Sequence, residues 1–424
     1  MYISKLNIKS IRCFDDVTID FRSNKDLCMW GVMLGDNGVG KTTVLRSIAM
    51  CLLGRGSTFG LLDELGGDWI RRDKDEGSVC LEFKPDDGIK GDYYIKLEFR
   101  RESGNTIDIS QKTDPDPFPW DKLFFCGYGA TRNVSGTTSF REYKKVEAIL
   151  TLFNETEELQ NTELVLRRVR DLRTPNGGKI QKDMLNRIEE ILMIPKDSIS
   201  FGKEGLLVSG PWGASMPAIA LGDGHRATMS WVADFLYWAI LHDETMFSKG
   251  LSGIVLIDEV EQHLHPQWQK RIVKLLREQF PKVQFIATTH SPLVASNTAK
   301  MGADEPKSKL FYLFLEDEVA KSSEVQENLS ELNAAQILSS VAFGHIVNIN
   351  EEAETTLREA SILASKDKRT TQEDIKLKKI KDKLKAIMFP RGGTAIERTV
   401  EKEYYAELEQ RIEDIRRILS EGKK

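Results

Sequence analysis

The sequence lacks several features that would assign the chain to other classes of protein. Its five cysteines all lie in the first third of the chain and form no C-x-x-C pair, which argues against a structural zinc site and predicts reduced thiols. The most apolar run, 229–241, contains Asp234 and is shorter than the roughly 20 residues that cross a bilayer. We therefore expect a cytoplasmic chain with no membrane partner.

An excess of charge of one sign is also missing. The chain has 60 Lys and Arg against 65 Asp and Glu, so its net charge of -5 gives no general attraction to nucleic acid. Its 424 residues are 40% hydrophobic, enough for a sizeable core. Composition alone thus predicts a large globular protein and leaves its function open.

A phosphate-binding loop lies near the N-terminus. The apolar strand "LCMWGVML" leads into "GDNGVGKTT" (35–43), which matches G-x-x-x-x-G-K-[ST]. The following residues carry a helical apolar face that ends at Gly54, and a glycine-rich loop at a helix N-terminus binds polyphosphate through its N–H groups. An ordinary glycine turn would not explain the Lys-Thr pair. The predicted ATP-binding residues of the loop are Asn37, Gly38, Val39, Gly40, Lys41, Thr42 and Thr43.

A second apolar strand ends in two acids. In "GIVLIDEVEQHLHPQW" the strand at 254–257 is followed by Asp258 and Glu259. We predict that Asp258 and Thr42 hold Mg2+ and that Glu259 is the catalytic base that polarises the attacking water. Two adjacent acids favour an ATPase over a small GTPase.

A helix is expected from Pro266, and a third strand, within "KVQFIATTHSP", carries His290 at its end. One more strand, "KLFYLFLE", is expected after His290. A lone histidine is more often structural, but this one follows directly after the acidic strand, so we predict that it contacts the γ-phosphate as a catalytic residue. The pair His263 and His265 forms an H-x-H with no third ligand nearby, and a loop at a subunit interface is a better interpretation than a metal site.

In order, "GDNGVGKTT", "LGDGHR", "IVLIDEVEQHLHP" and "TTHSP" resemble the ABC-type ATPase heads of the SMC/RecF/OLD group over about residues 1–345. The resemblance implies an α/β P-loop NTPase fold of ABC-ATPase type with ATP and Mg2+ as cofactors. It also implies that a basic or aromatic residue of the opening strands, such as Arg12 or Phe14, lies near the nucleotide. In that group ATP is sandwiched between two heads, so the chain is expected to form a homodimer or a higher oligomer.

The stretch "LGDGHR" (221–226) stands where that group carries its signature loop. The resemblance makes it the half-site that acts in trans on a second copy, through Leu221, Gly222, Asp223, Gly224 and His225. It departs from the family at Gly222, where the family has serine, so a hydroxyl is missing and turnover is expected to be slow. Backbone N–H groups at the helix start remain available for phosphate. The alternative is an ordinary loop before a core helix.

The domain organisation follows from the positions of these motifs. We expect the first part of the ATPase lobe at 1–142, an inserted helical lobe with the signature at 143–249, the second part of the ATPase lobe at 250–345 and a helical, partner-binding region at 346–424. Within 143–210 the patterns "VEAILTLF" and "MLNRIEEILMI" predict helices and "SISFGKEGLLVSG" predicts a hairpin. These helices are too short for long coiled-coil arms, which argues against a chromosome-organising protein.

The tail carries a basic run. Residues 366–385 hold nine Lys and Arg against four acids, which is typical of a solvated helix face, with nucleic-acid contact as the alternative. No D-x-D follows His290, and the only later histidine is His345, so no nuclease centre is expected in this chain.

The stretch "FFCGYGATR" (124–132) also resembles ATPase subunits of bacterial anti-phage systems, although it assigns Arg132 no defined role. This resemblance implies an ATPase that regulates a separate effector nuclease, of HNH type as in Septu systems or of Toprim type as in PARIS systems, with any DNA contact indirect. The alternative is a RecF/SMC-like repair ATPase that acts directly on DNA. A transporter ATPase and a scaffold that binds ATP without hydrolysing it are further rivals.

Overall fold

The structure is a computed structural model that describes residues 1–23, 26–65, 68–85, 93–102, 106–134, 144–172, 176–203, 205–213, 215–299 and 308–325, together with Leu329, Ile337, Lys378 and Lys379. The chain divides into two compact units, Met1–Ile346 and Val347–Lys424, and the elements below belong to the first. The predicted helical tail and most of its basic run lie outside the described residues; within that run Lys378 and Lys379 are helical and exposed.

The strands are, in chain order, β1 (Tyr2–Ile11), β2 (Phe14–Asp20), β3 (Arg22–Ser23), β4 (Asp26–Leu27), β5 (Trp30–Leu34), β6 (Glu76–Lys84), β7 (Tyr93–Arg101), β8 (Ile107–Asp114), β9 (Phe125–Tyr128), β10 (Asn133–Val134), β11 (Glu158–Leu159), β12 (Ile199–Gly202), β13 (Gly205–Val208), β14 (Met216–Pro217), β15 (Ser252–Ile257), β16 (Lys282–Thr288), β17 (Ser308–Glu316) and β18 (Val319–Glu324). The α-helices are α1 (Lys41–Leu53), α2 (Arg55–Leu65), α3 (Thr162–Arg170), α4 (Gly177–Ile191), α5 (Asp223–His242), α6 (Met246–Lys249), α7 (Pro266–Gln269), α8 (Ile272–Gln279) and α9 (Pro292–Ala299). Short 3-10 helices occupy Trp120–Lys122, Glu147–Leu152 and Ala218–Ala220.

Within the described residues, eleven strands form one mixed sheet in the order β8-β7-β6-β1-β2-β18-β17-β5-β16-β15-β9. The part from β8 to β2 is antiparallel, whereas β17, β5, β16, β15 and β9 run parallel to one another. Ligands bind at the carboxyl ends of parallel strands because loops and helix N-termini converge there. The predicted motifs follow β5, β15 and β16, so this topology gathers them at one sheet edge.

Side-chain alternation along the parallel strands supplies two hydrophobic cores, one on each face of the sheet. On β15, Ile254 and Leu256 join the core that contains α1, whereas Val255 and Ile257 join the core that contains α3, α4 and α5. Helix α5 is nearly enclosed, with fourteen of its twenty residues buried. Such burial fixes the position of its N-terminus, which carries the predicted signature.

Several local expectations are confirmed. The opening residues form β1 and β2, the phosphate loop lies between β5 and α1, and α1 is followed by Gly54 at a φ of 77°. Most of the pattern "MLNRIEEILMI" falls in α4, which ends at Ile191, and the expected hairpin is β12 paired with β13.

Other local expectations were wrong. Within the described residues two strands follow His290 instead of one, because "VAKSSE" returns as β18 along β17. The helix predicted from Pro266 is interrupted between α7 and α8, where Arg271 has a φ of -121°. The pattern "VEAILTLF" forms a 3-10 helix over Glu147–Leu152, and the strand before His290 ends at Thr288.

Candidate functional site

The phosphate loop packs against the turn that joins β1 and β2. Gly38 and Gly40 have φ values of 83° and 97°, which disfavour any residue with a Cβ. A Cβ on Gly40 would also lie 2.6 Å from the Cys13 sulfur and 2.7 Å from the Phe14 ring. Asn37 and Gly38 are exposed and the Val39 side chain is buried. The glycine pattern therefore serves both the loop's conformation and its close approach to the turn.

Lys41, the first residue of α1, is folded against its own loop. Its side chain is buried, with only 7% of the residue exposed, and Nζ donates hydrogen bonds to the carbonyl oxygens of Gly35 (2.8 Å) and Asp36 (2.7 Å). Burial lowers the pKa of Lys41, and the nearby carboxylates of Asp258 and Glu259 oppose that shift. The loop thus holds a positive charge close to its own backbone.

Asp258 links the phosphate loop to the acidic strand. Its Oδ2 accepts a hydrogen bond from Thr42 Oγ1 at 2.7 Å, and its Oδ1 accepts one from Thr288 Oγ1 at 2.5 Å. The residue is 6% exposed. Hydroxyl and carboxylate oxygens are the ligands that Mg2+ prefers, so Thr42 and Asp258 fit the predicted metal pair by chemistry and by proximity.

Glu259 has a strained backbone and a half-buried side chain. Its φ is 47°, in the left-handed region that non-glycine residues rarely adopt. Its N–H donates to Thr288 Oγ1 at 2.8 Å, and its carbonyl accepts from Gln262 N at 2.9 Å. Thr288, which the sequence analysis did not single out, therefore contacts both acids at the end of β15.

His290 is held by a carboxylate that the sequence analysis missed. Its N–H donates to Glu261 Oε1 at 2.5 Å, while Thr289 Oγ1 donates to Glu261 Oε2 at 2.6 Å. One side chain from the loop after β15 thus fastens the loop after β16. The only available signal was the acid two residues beyond Glu259.

Arg132 lies at the same sheet edge, after β9. It is 3% exposed, and its Nη2 donates to the carbonyl oxygens of Asp258 (2.5 Å) and Glu259 (2.7 Å). Burial lowers its pKa to about 10, against the opposing effect of Glu261, Asp258 and Glu259. The residue for which the sequence suggested no role therefore contacts the backbone of both acids.

Arg12 lies on the β1–β2 turn, with a φ of 48° and an exposed side chain. Its guanidinium lies 4.5 Å from the centroid of the Trp69 ring, a cation–π arrangement. The neighbouring Cys13 and Phe14 contact the phosphate loop, as described above. Arg12 is therefore adjacent in sequence to residues that contact the phosphate loop, and its own guanidinium lies over the Trp69 indole.

The predicted signature begins α5. Leu221 is buried, whereas Gly222, the N-cap residue, and Asp223 are exposed. The Asp223 carboxylate pairs with Arg226 at 2.8 Å. Among the described residues, no hydrogen bond or ion pair joins 221–225 to the loop at 35–43 of the same chain.

His225 packs against two aromatic side chains instead of standing free. Its ring centroid lies 4.3 Å from that of Trp268 and 5.6 Å from that of Trp212, with edge-to-face geometry in both pairs. Burial lowers the pKa of His225. His225 thereby connects the start of α5 to α7.

The H-x-H pair has a structural use at one of its positions. His265 is the N-cap of α7, and its Nδ1 accepts from Gln267 N at 3.3 Å. Among the described residues no group of three or more His, Cys, Asp or Glu side chains could hold a metal ion. No described helix has both the length and the apolar character needed to cross a membrane.

Two segments of the chain match models of known protein families. Residues 5–193 match a family model described as "AAA domain", and residues 215–296 match one described as "AAA domain, putative AbiEii toxin, Type IV TA system". The two matched segments contain the phosphate loop, the signature stretch, the acidic strand and His290. The two matches are consecutive along the chain and leave residues 194–214 between them.

Two relatives are a Septu protein and a retron ATPase. The Septu protein PtuA of Bacillus mycoides (strain KBAB4) is 28% identical over 294 residues, which are 69% of this chain and 38% of that protein. The Retron Vc95 probable ATPase of Vibrio cholerae serotype O1 biovar El Tor is 39% identical over 83 residues, 19% of this chain and 16% of that protein. The chain thus spans well under half of the length of either relative.

Among solved structures, the SMC head domain from Thermotoga maritima has a TM-score of 0.43 and 17% identity, covering 77% of this chain and 100% of that one. The phosphate loop after β5 lies in the segment that one family model matches, and the residues after β15 and β16 lie in the segment that the other matches. The chain has an α/β P-loop ATPase fold with two segments similar to AAA domains, and it resembles the Septu protein PtuA over 69% of its length.

Proposed function

We propose that the chain binds Mg-ATP and hydrolyses it to ADP and phosphate. The observation that carries this proposal is the 2.7 Å hydrogen bond between Thr42 and Asp258, which joins the helix of the phosphate loop to the acidic strand 216 residues further along the chain. Thr42 and Asp258 would hold Mg2+, which supplies positive charge to the phosphates when it is bound. When ATP binds, Lys41 Nζ would donate to phosphate oxygens in place of the carbonyl oxygens of Gly35 and Asp36.

Glu259 and His290 are the proposed catalytic residues. Glu259 follows Asp258 directly, and its half-buried carboxylate would accept a proton from the attacking water. His290, fastened through its backbone to Glu261, would donate a hydrogen bond to the γ-phosphate. Asn37, Gly38, Val39, Gly40 and Thr43 would surround the phosphates, with Arg12 at the nearby turn.

The test of hydrolysis is phosphate release by the intact chain and by Glu259→Gln, with Glu278→Gln on the exposed face of α8 as the control. Loss of a general base costs about 10²- to 10⁴-fold in rate, so Glu259→Gln should bind ATP and release almost no phosphate. Equal, negligible rates in wild type and Glu259→Gln would contradict the proposal and leave a protein that binds ATP without hydrolysing it.

We further propose that two copies close around ATP through residues 221–225. Gly222 supports this proposal because it is exposed, has a φ of -58° and has no atom within 4 Å of a built Cβ. A tryptophan at this position would therefore fit its own chain but obstruct a partner. Gly56 of α2 is equally open and supplies the matched control.

The oligomeric state would be measured by light scattering after size-exclusion chromatography. In Glu259→Gln with Mg-ATP we expect twice the mass of one copy, or a higher multiple, and the same mass when Gly56→Trp is added. Adding Gly222→Trp should return the species to one copy. Unchanged assembly in the Gly222→Trp variant would make "LGDGHR" an ordinary turn before α5.

We propose that the ATP state of this chain controls a separate effector nuclease of HNH or Toprim type in cytoplasmic anti-phage defence. The support is the likeness to a Septu protein and a retron ATPase, together with five cysteines that are all free thiols. Purification of the chain from its native host, with mass spectrometry of what accompanies it, tests the partner. Salt-sensitive DNA binding by the isolated chain would favour the repair-ATPase alternative instead.

A further inference from the structure

Two successive carbonyl groups at the end of β15 point to the same side of the backbone. In a strand, successive residues alternate between the two sides, so this arrangement requires a break in the strand geometry. The break lies at Glu259, where φ is 47°. The carbonyls of Asp258 and Glu259 consequently meet one guanidinium nitrogen, Nη2 of Arg132.

A third hydrogen bond joins the end of β9 to this backbone. The carbonyl oxygen of Tyr128 accepts a hydrogen bond from Asp258 N at 2.8 Å. The guanidinium is itself anchored, since Nε of Arg132 donates to Gly129 O at 3.1 Å. Residues 128–132 thus donate to and accept from the two acidic residues, and fix their backbone without touching the oxygens that would bind metal or water.

The charge of Arg132 faces three carboxylates. The residue is 3% exposed, and the negative groups that act on it are those of Glu261, Asp258 and Glu259. Its hydrogen bonds within the described residues go to backbone carbonyls, so Arg132 itself occupies no carboxylate oxygen of Asp258 or Glu259. A buried cation in this position reduces repulsion among acids that the site needs in ionised form.

We infer that Arg132 is a positioning residue for hydrolysis: it holds Glu259 in its left-handed conformation and so aims the carboxylate at the attacking water. This inference rests on the proposed ATP hydrolysis for its kinetic consequence. Its structural part, control of the backbone at 258–259, does not depend on turnover.

The test compares Arg132→Met, which keeps the length of the side chain without its donors, with Arg132→Lys, which keeps a cationic donor. The matched control is Arg187→Met, because Arg187 also donates to a backbone carbonyl, that of Gln279, and packs 5.6 Å from the Phe280 ring. All variants would be compared at equal folded fraction, determined by thermal unfolding.

For ATP turnover, we expect Arg132→Met to lower kcat by about 10- to 100-fold with little change in KM, the effect of misplacing a catalytic group. Arg132→Lys should recover part of that loss, and Arg187→Met should leave kcat unchanged. A kcat for Arg132→Met equal to that of Arg187→Met would overturn the inference, as would a loss that appears only in KM.

A second readout needs no turnover. The amide of Gln262 bonds to Glu259 O at 2.9 Å, so its hydrogen exchange reports on the carbonyl that Arg132 holds. Exchange of a peptide covering 258–263 should be faster in Arg132→Met than in Arg187→Met. Unchanged exchange would overturn the inference. If exchange changes while the wild type releases no phosphate, the proposed hydrolysis fails and only the control of the backbone at 258–259 by Arg132 stands.

Discussion

The carbonyl oxygen of His263 occupies the space where a side chain on residue 224 would begin. A Cβ built on Gly224 would lie 2.2 Å from that oxygen, a distance that no real contact of this kind allows. Gly224 stands in the first turn of α5, and His263 stands in the loop after β15 with a φ of 63°. The start of α5 and the loop that follows the acidic strand are therefore pressed together in one chain.

Gly224→Ala tests this contact. Helix propensity alone would make alanine more stable than glycine by up to about 1 kcal/mol at an ordinary helical position. Because the obstacle is a backbone atom, we expect the opposite sign, with a loss of about 1–3 kcal/mol in the free energy of unfolding. Urea denaturation would measure it, and Gly222→Ala, at the N-cap two residues earlier with open space around its Cβ, should cost less. A stabilised Gly224→Ala would refute the close approach.

The sequence predicted the parts of the site that depend on local motifs. The phosphate loop, the acids after β15 and His290 after β16 each follow a short apolar strand, and parallel strand ends meet at one edge. The pairing of Thr42 with Asp258 then follows from two motifs that were each recognisable alone. This part of the site could be predicted because strand, loop and helix are encoded within a few residues of one another.

The remaining contacts could not be predicted in this way. Arg132 reaches Asp258 across 126 residues of chain, and it binds carbonyl groups, which every residue possesses. Glu261 holds His290 through a backbone N–H, which again leaves no pattern in residue types. The antiparallel strands β6, β7 and β8 and the return strand β18 carry no motif either. Contacts to backbone atoms become visible only when the fold is known.

Glu261 offers a second prediction, on the coupling between the two loops. Glu261→Ala removes the acceptor for both His290 N–H and the Thr289 hydroxyl, and leaving buried donors unpaired costs about 1–3 kcal/mol. We expect lower stability together with a lower kcat, because His290 loses its anchor. Glu261→Gln should be milder, since its oxygen can still accept from His290 while its amide donates to a rotated Thr289 hydroxyl. Equal effects of Ala and Gln in unfolding and phosphate-release assays would count against this anchoring.

Cys13 provides a third prediction, on nucleotide binding. Its sulfur lies 3.8 Å from Val39 O and borders Gly40, and burial raises its pKa, opposed by Arg12 and Arg71. Thiolate is the reactive form, so alkylation by iodoacetamide should keep rising with pH beyond the ordinary cysteine value of about 8.5. Mg-ATP should slow the labelling, because the phosphates would stiffen the loop that lies against Cys13.

The half-buried Cys80 of β6 is an internal reference for that experiment, since burial also raises its pKa. Its labelling should follow pH in the same sense and should not respond to nucleotide. Cys28, Cys51 and Cys126 are buried and should react only after unfolding. Peptide mass spectrometry would separate the sites, and equal protection of Cys13 and Cys80 by Mg-ATP would rule out a local effect at the phosphate loop.

The last prediction concerns the buried connection between β9 and α5. The Tyr128 hydroxyl donates to Asp234 Oδ2 at 3.0 Å, and Gln160 N donates to Oδ1 of the same carboxylate at 3.2 Å. Burial raises the pKa of Tyr128 well above its ordinary value, so the hydroxyl remains a donor throughout the working pH range.

Tyr128→Phe removes this donor from a buried carboxylate, and we expect the free energy of unfolding to fall by about 1–3 kcal/mol in urea. Tyr312→Phe, on a half-buried ring beside Phe314, should change it far less. The backbone carbonyl of Tyr128 still accepts from Asp258, so kcat per folded molecule should drop less than in Arg132→Met. If Tyr128→Phe is as stable as Tyr312→Phe, the Asp234 carboxylate does not need the Tyr128 hydroxyl. If its kcat is as low as that of Arg132→Met, the position of Asp258 and Glu259 also depends on the contact between β9 and α5.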